Sequence, residues 1–329
     1  MTDAIASDGW SAETSPYHAG EAAMQDRAGV RDRAERQGRR MIRSAMPDQH
    51  RDLFEKLSYL FVGSLDAERR PWASMLAGPP GFARSPDAQT LAVDAVPLPD
   101  TGAVLVPGAP LGLLGIELST RRRNRVNGRI VEASGRGFVL RVDQSFGNCP
   151  QYIQARTPEP RAVVDPAAPS PVGRVLGARA AALVRTADTF FIASASPHAG
   201  GPDPTEGVDV SHRGGRAGFV KLAEEDGRSV LLAPDFRGNA AFNTFGNLAL
   251  NPRAGLLFID FAAGDLLSLT GEAEVLWDHP ALAGFAGARR LLRFRLDAGV
   301  LLAGAVPLRW SPPEPAPQLA ATGTWDRPT

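Results

Sequence analysis

Cysteine is nearly absent from this 329-residue chain: Cys149 stands alone. A single thiol excludes an intrachain disulfide and any cysteine-rich zinc site. Charge of one sign is lacking as well, since 36 basic residues balance 36 acidic ones. A dedicated nucleic-acid binder carries a basic excess, so the balance argues against that class. Lysine occurs only at Lys56 and Lys221, leaving arginine as the cation almost everywhere. With abundant Ala and Gly, that bias reads as GC-rich coding rather than function. No uncharged apolar run approaches the ~20 residues of a membrane span; the longest, around 298–308, is too short. The first residues are polar and acidic, without the basic-then-apolar pattern of a secretion signal. His18, His50, His198 and His279 are scattered, which argues against a metal cluster. No Ser–His–acid set carries a nucleophile-elbow signature. What remains is the expectation of a cytoplasmic protein with one large or two ordinary domains.

Along the chain the hydrophobic period changes several times. Residues 1–17 are small and polar and read as disordered, and 19 to about 46 read as one solvated amphipathic helix without proline. "PDQHRDLFEKL" is a second, short helix opened by Pro47-Asp48. Then come strand-like runs separated by turn residues: "YLFVGSLD", "WASMLA", "TLAVDA", "PLGLLGIEL", "RVNGRIVEAS" and "GFVLRVDQSF". "GNCPQYIQAR" looks like a short helix entry. Residues 157–174 hold five prolines, a linker composition. "GARAAALVRTA" is helical, strands resume at "TFFIASAS", and the Pro- and Ala-rich tail from 312 reads as disordered. The fold class expected is mainly β (α+β): two tandem split β-barrels with an N-terminal helical extension. The expected divisions are 1–47, a disordered start and helical extension; 48–156, a first barrel; 157–174, a linker; 175–311, a second barrel; and 312–329, the tail.

Two copies are expected because the halves resemble each other. "SMLAGPPGF" (74–82) matches "SHRGGRAGF" (211–219) at Ser, Gly, Gly and Phe, with an offset of 137. "GLLGIELSTRRRNRVNGRI" (112–130) matches "GLLFIDFAAGDLLSLTGEA" (255–273) without a gap, with an offset of 143. The alignment puts Arg121, Arg122 and Arg123 on a hairpin tip, around Ala263, Gly264 and Asp265 of the other copy.

The second copy is richer in chemistry. "GVDVSHRGGRAGF" is a strand opening into a Gly-rich loop, and offers Ser211, His212 and Arg213 beside the backbone N–H groups of Gly214 and Gly215. "APDFRGNAAFNTFGNLALNP" follows a strand and enters a helix, and offers Arg237, Asn239, Asn243, Thr244 and Asn247. Arginine presents a fork of donors to a phosphate, and free N–H groups at a helix start favour an anion. Asn and Thr add neutral donors and acceptors, so the set suits a phosphate joined to a polyol. Taken singly, each feature reads as readily as a turn or a cap, and no Walker loop is present. In the first copy Ser74 survives, but Met75 and Leu76 stand where the second has His212 and Arg213. One copy is thus expected to bind while the other scaffolds. A lone cysteine such as Cys149 is usually buried and inert.

The second half resembles the pyridoxamine 5'-phosphate oxidase-like, FMN-binding split-barrel superfamily, through "GVDVSHRGGRAGFVKL", "LLAPDFRGNAAFNTFGNLALNPRAGLLFIDF" and "LSLTGEAEV" in that order. His212 stands where a proline is common. The first half resembles it more loosely through "RPWASMLAGPPGF", "RVNGRI" and "NCPQYI". The resemblance implies FMN held non-covalently in a groove between two barrels, with Ser211, His212, Arg213 and Gly214 near the flavin or its phosphate. It also implies Arg237, Asn239, Asn243, Thr244 and Asn247 as phosphate and ribityl contacts, with Lys221 a further candidate. Such proteins are commonly homodimers; a tandem chain could form the pair internally or dimerise as well. The function implied is an FMN-dependent oxidoreductase of a small molecule, a reading that admits NADH or NADPH as electron donor. The alternative is a flavin- or haem-binding module for storage or sensing, without turnover. Arg125 leads into "RVNG", which allows it to face the neighbouring barrel, and the arginine cluster could border the flavin groove.

Overall fold

Runs such as "YLFVGSL" are apolar at every position, which a strand tolerates only if both of its faces are covered. The computed structural model, which describes residues 9–10, 12–147, 149–163, 168–238 and 240–326, shows what covers them. The helical extension comprises α1 (Ala19–Arg27), α2 (Arg31–Met41) and α3 (Asp48–Lys56). The single long helix expected over 19–46 is broken between α1 and α2, where Gly29 takes a left-handed φ of 66°. The first half contributes β1 (Tyr59–Leu65), β2 (Pro71–Ala77), β3 (Ala83–Asp87), β4 (Thr90–Val93), β5 (Pro110–Glu117), β6 (Arg122–Ser134) and β7 (Gly137–Gly147). Two short strands follow, β8 (Pro158–Pro160) and β9 (Ser170–Val172), then α4 (Ala178–Thr186). The second half contributes β10 (Thr189–Ala195), β11 (Val208–Gly214), β12 (Lys221–Glu225), β13 (Arg228–Phe236), α5 (Asn243–Leu250), β14 (Arg253–Ile259), β15 (Leu266–Leu276), β16 (Ala288–Leu302) and β17 (Leu308–Trp310).

The protein is mainly β, with two antiparallel split-barrel sheets. The first runs β2-β1-β5-β6-β7-β4-β3, and the second runs β11-β10-β14-β15-β16-β13-β12, the same order strand for strand. Each sheet encloses its own core, one around Leu60, Val62, Leu113 and Leu140, the other around Phe190, Ile192, Leu256 and Phe294. The alternate residues of β1 and β10 point the other way. Tyr59, Phe61, Phe191 and Ala193 meet in a third core shared by the two sheets. Phe61 and Phe191 occupy equivalent places in β1 and β10 and stack with ring centroids 3.5 Å apart. The sheets approach closely because glycine stands at the crossing. A Cβ at Gly112 would lie 2.3 Å from the Val208 carbonyl oxygen, and one at Gly255 would lie 2.5 Å from that of Pro71. These are the glycines that open the "GLL" of each half.

Several segments differ from their sequence reading. Among the described residues "GNCPQYIQAR" contains no helix: it passes through a turn in which Tyr152 has a φ of 65°. Arg121 alone occupies the hairpin tip, with a φ of 59°, and Arg122 and Arg123 already belong to β6. In the proline-rich 157–174 stretch, β8 pairs with β17 and β9 with β16, while residues 164–167 lie outside the described residues. The tail read as disordered packs on the body. Leu319 is buried, and the Trp325 indole N–H donates to the Phe219 carbonyl at 2.9 Å. At the start of the chain, the Trp10 amide bonds to the Arg39 carbonyl at 2.7 Å and its ring is buried; residues 1–8 lie outside the described residues.

Helix α3 is fixed to β7 by a buried contact between His50 Nδ1 and Ser145 Oγ at 2.8 Å. Burial first, then the nearby Arg43 and Arg122, lowers the His50 pKa from 6.5 to about 4. On acidification the unfolded chain therefore takes up this proton before the folded one does. The stability involved is present above pH 6.5 and is lost as the pH falls toward 4, to a total on the order of 3 kcal/mol. The thermal midpoint is expected to fall over that window, and less steeply in His50→Asn. Parallel curves for the two proteins would contradict the assignment.

Candidate functional site

The site begins with β11, an end strand of its sheet, which pairs with β10 only along one side. Its last residues, Ser211 to Gly214, lie beside the start of α5, where the left-handed Phe242 (φ 66°) turns the chain into the helix. Thr244 Oγ1 donates to Ser211 Oγ at 3.0 Å, joining the two segments. The first half completes the arrangement. Arg125 of β6 crosses to the second half, where its Nη1 donates to Asp209 Oδ1 at 2.9 Å and its Nη2 to the Ser211 hydroxyl. Asp209 also accepts from Asn127 Nδ2 and from Asn247 Nδ2, each at 2.8 Å. The extension supplies a third side: His18 Nε2 lies 3.0 Å from Asn247 Oδ1, and Asn243 Nδ2 donates to Glu21 Oε1 at 2.5 Å. Burial, and then the neighbouring Asp209, hold the Glu21 carboxyl well above the usual carboxylate range. A buried polar network thus joins three separate parts of the chain.

Above this network lies a cleft of about 640 Å³, within the ~300–1,000 Å³ usual for small-molecule sites. Its second-half wall carries Ser211, His212, Arg213, Gly214, Arg237, Asn243 and Thr244; its first-half wall carries Arg123, Arg125, Cys149 and Tyr152. The end of α1 adds Arg27 and the start of α2 adds Arg33, and the far side carries Trp277, Arg289 and Arg290. Aromatic faces are ordered here. Tyr152 stacks on Phe236 with centroids 5.1 Å apart, and Arg27 and Arg290 lie 4.6 and 4.7 Å from the Trp277 ring centroid.

Among the described residues eight arginines line the cleft against one carboxylate, Asp235. Asp235 pairs with Arg213 and, at 2.8 Å, with Arg290. Among the described residues no carboxylate pairs with Arg33, Arg123, Arg237 or Arg289. Burial, and then Arg125, bring the Arg123 guanidinium down to about 9. Burial, and then Arg123, Arg213 and Arg156, push the His212 imidazole well below its usual value, so it is neutral at physiological pH. His212 Nε2, Arg213 Nε, Arg290 Nη1 and Trp277 Nε1 are buried without a partner among the described residues. Such unsatisfied groups are costly unless something bonds them. Unpaired cations, orphaned donors and aromatic faces suit a planar, phosphorylated ligand with hydroxyl groups.

Two of the residues singled out in the sequence lie apart from the cleft. Asn247 sits beneath it, 1% exposed, holding Asp209. Lys221 is exposed on β12, at the opposite end of the strand order from β11, with its ammonium 5.3 Å from the Trp325 ring centroid. Asn239 lies outside the described residues. The sequence reading missed Tyr152, Trp277, Arg27, Arg33, Arg289 and Arg290. Among the described residues no cluster of three or more His, Cys, Asp or Glu could hold a metal. No helix among them is long and apolar enough to cross a membrane.

Residues 176–298 match the family model of pyridoxamine 5'-phosphate oxidase. No curated protein matches the chain. Solved structures similar to part of it include HupZ of Group A Streptococcus, at 8% identity, covering 37% of this chain and 90% of that one with a TM-score of 0.28. HutZ, the heme storage protein from Vibrio cholerae, has 13% identity, 37% and 91% coverage and a TM-score of 0.23. A putative 5-nitroimidazole antibiotic resistance protein from Bacteroides thetaiotaomicron has 9% identity, 45% and 94% coverage and a TM-score of 0.26. Likenesses at this level carry no functional weight.

Proposed function

We propose that the cleft binds FMN non-covalently and that the chain is an FMN-dependent oxidoreductase acting on a small molecule. The observation that supports this most is the convergence of Ser211–Gly214, Arg237, Asn243 and Thr244 with first-half arginines in one aromatic-walled, cation-rich cleft. Arg213 and Arg237 would neutralise the phosphate. Asn243 and Thr244 would bond the ribityl hydroxyls, and the aromatic side chains would flank the ring. His212 adds a polar ring to the wall without adding charge. When bound, the flavin supplies the two-electron redox chemistry; the chain orients it and limits water around it.

In this reading the chain is an intrachain pseudo-dimer. The first half lends Arg123 and Arg125 to the second half's site, as one subunit lends residues to another across a homodimer. The equivalent place in the first half is filled: Met75 is fully buried in the shared core and bridges to Leu98. One FMN per chain is therefore expected at saturation, read by absorbance of the washed holoprotein against protein mass. Two per chain would contradict the asymmetry, and a chain that binds no added FMN would end the flavin reading. Anaerobic reduction of the bound flavin by NADPH, followed by reoxidation with an acceptor, separates an oxidoreductase from a binding module.

A further inference from the structure

An open groove of about 720 Å³ continues from the cleft. Arg33, Arg123 and Arg237 border both spaces, and the groove adds Arg121 and Arg122. Among the described residues no carboxylate lines it. Glu314, a highly exposed side chain, lies 3.1 Å from Arg121 Nη2, and Glu117, opposite Arg122 across β5 and β6, is paired with Lys56. Three of these guanidiniums are anchored by backbone carbonyls: Arg121 Nε by Ile153 at 3.0 Å, Arg123 Nε by Cys149 at 2.8 Å, and Arg122 by Gln49. Anchoring fixes the forks in place while leaving other N–H groups to bind an anion. A second feature points the same way. Asn124, 4% exposed, lines the groove, and its Nδ2 has no partner among the described residues.

A chain with no net charge has gathered these cations in one continuous space. A single phosphate in the cleft, carrying about two negative charges, leaves most of them uncompensated. A second multiply charged anion belongs beside the first. Its charged part lies in the open groove, and its remainder can reach the aromatic walls of the cleft near Tyr152. Diphosphates match arginine forks in planar, two-point fashion.

We propose that this groove binds the diphosphate of a nicotinamide dinucleotide. The proposal rests on the flavin reading only for the identity of the neighbour in the cleft. The test uses the FMN-loaded full chain, titrated calorimetrically with NADP⁺ and, separately, with inorganic pyrophosphate. Both are expected to bind, with pyrophosphate displacing NADP⁺. Arg122→Gln is expected to weaken NADP⁺ about 10-fold and Arg122→Glu more than 20-fold, as for the loss and reversal of one charge-assisted contact. The FMN affinity of both variants should stay at the wild-type value, which shows that the cleft is intact. Substitution of the exposed Arg141 of β7 by Gln should change nothing. The proposal is overturned if pyrophosphate fails to compete, or if the Arg122 variants bind NADP⁺ like the parent. Failure of the flavin reading shows separately, as absence of FMN binding, and pyrophosphate titration of the FMN-free chain then still tests the groove.

Discussion

Arg125→Met is expected to lower stability by about 3–5 kcal/mol, the range for breaking a buried ion pair from one side. Arg125 is 3% and Asp209 5% exposed, so neither charge is screened by solvent. Without the guanidinium, Asp209 keeps only the amides of Asn127 and Asn247, and Glu21 lies close enough to be affected by its charge. The Ser211 hydroxyl loses one of its two donors at the same time and keeps Thr244. Because the contact joins the two halves, the loss should appear as easier separation of the two barrels as well as a lower urea midpoint. Measured against a typical total of about 5–15 kcal/mol for a domain, this is a large fraction. Should Arg125→Met fail to fold, the double variant Arg125→Met/Asp209→Leu keeps the question open. Replacing both partners by apolar groups removes the uncompensated charge and is expected to recover most of the stability. A double variant as unstable as the sum of the two single variants would show that the pair is not coupled.

Much of the scaffold was legible because its physics is local. Strands covered on both faces leave continuous apolar runs, and the tight approach at Gly112 and Gly255 leaves the same "GLL" in both halves. The site segments at 211–214 and 237–244 were legible for a similar reason: each carries its polar groups next to a glycine turn or a helix start. The first-half arginines were less so. Arg123 and Arg125 alternate on one face of β6, a period-two signal visible in "RRRNR", but what that face meets lies some 80 residues further on. The end of α1 and the start of α2 gave no signal at all, since Arg27 and Arg33 read as solvent-facing charges of a helix. Lys221 was a candidate only through the family resemblance, and the chain carries it to the far end of the sheet order. Composition misled at the ends, where one large side chain in each polar stretch, Trp10 or Trp325, is enough to dock it. "ARSPD", which lies between two of the expected strands, forms β3, at a sheet end where a proline removes no needed hydrogen bond.

Arg213→Ala and Arg237→Ala are expected to weaken FMN binding about 10- to 100-fold, while Arg122→Ala leaves it within about twofold. A hydrogen bond to a charged group contributes roughly 1.5–3 kcal/mol, and each 1.4 kcal/mol is a factor of ten. The two variants should not be equal. Arg237 is exposed at the mouth of the cleft, so solvent and salt screen its charge, and its effect should shrink as ionic strength rises. Arg213 is half-buried, lies 4.6 Å from the Phe245 ring centroid and shares Asp235 with Arg290. Its removal leaves Asp235 with one cation in place of two, and so adds repulsion toward a bound phosphate to the lost attraction. Arg213→Ala is therefore the larger effect and the less salt-sensitive, and adding Asp235→Asn to it should restore part of the affinity. Arg122 points into the groove rather than the cleft, which is why it is the control. Fluorescence-quenching titrations with FMN at two salt concentrations read all four variants. Equal losses for Arg213, Arg237 and Arg122 would mean that the cations act only as a diffuse field, and that β11 and the α5 approach do not hold the phosphate.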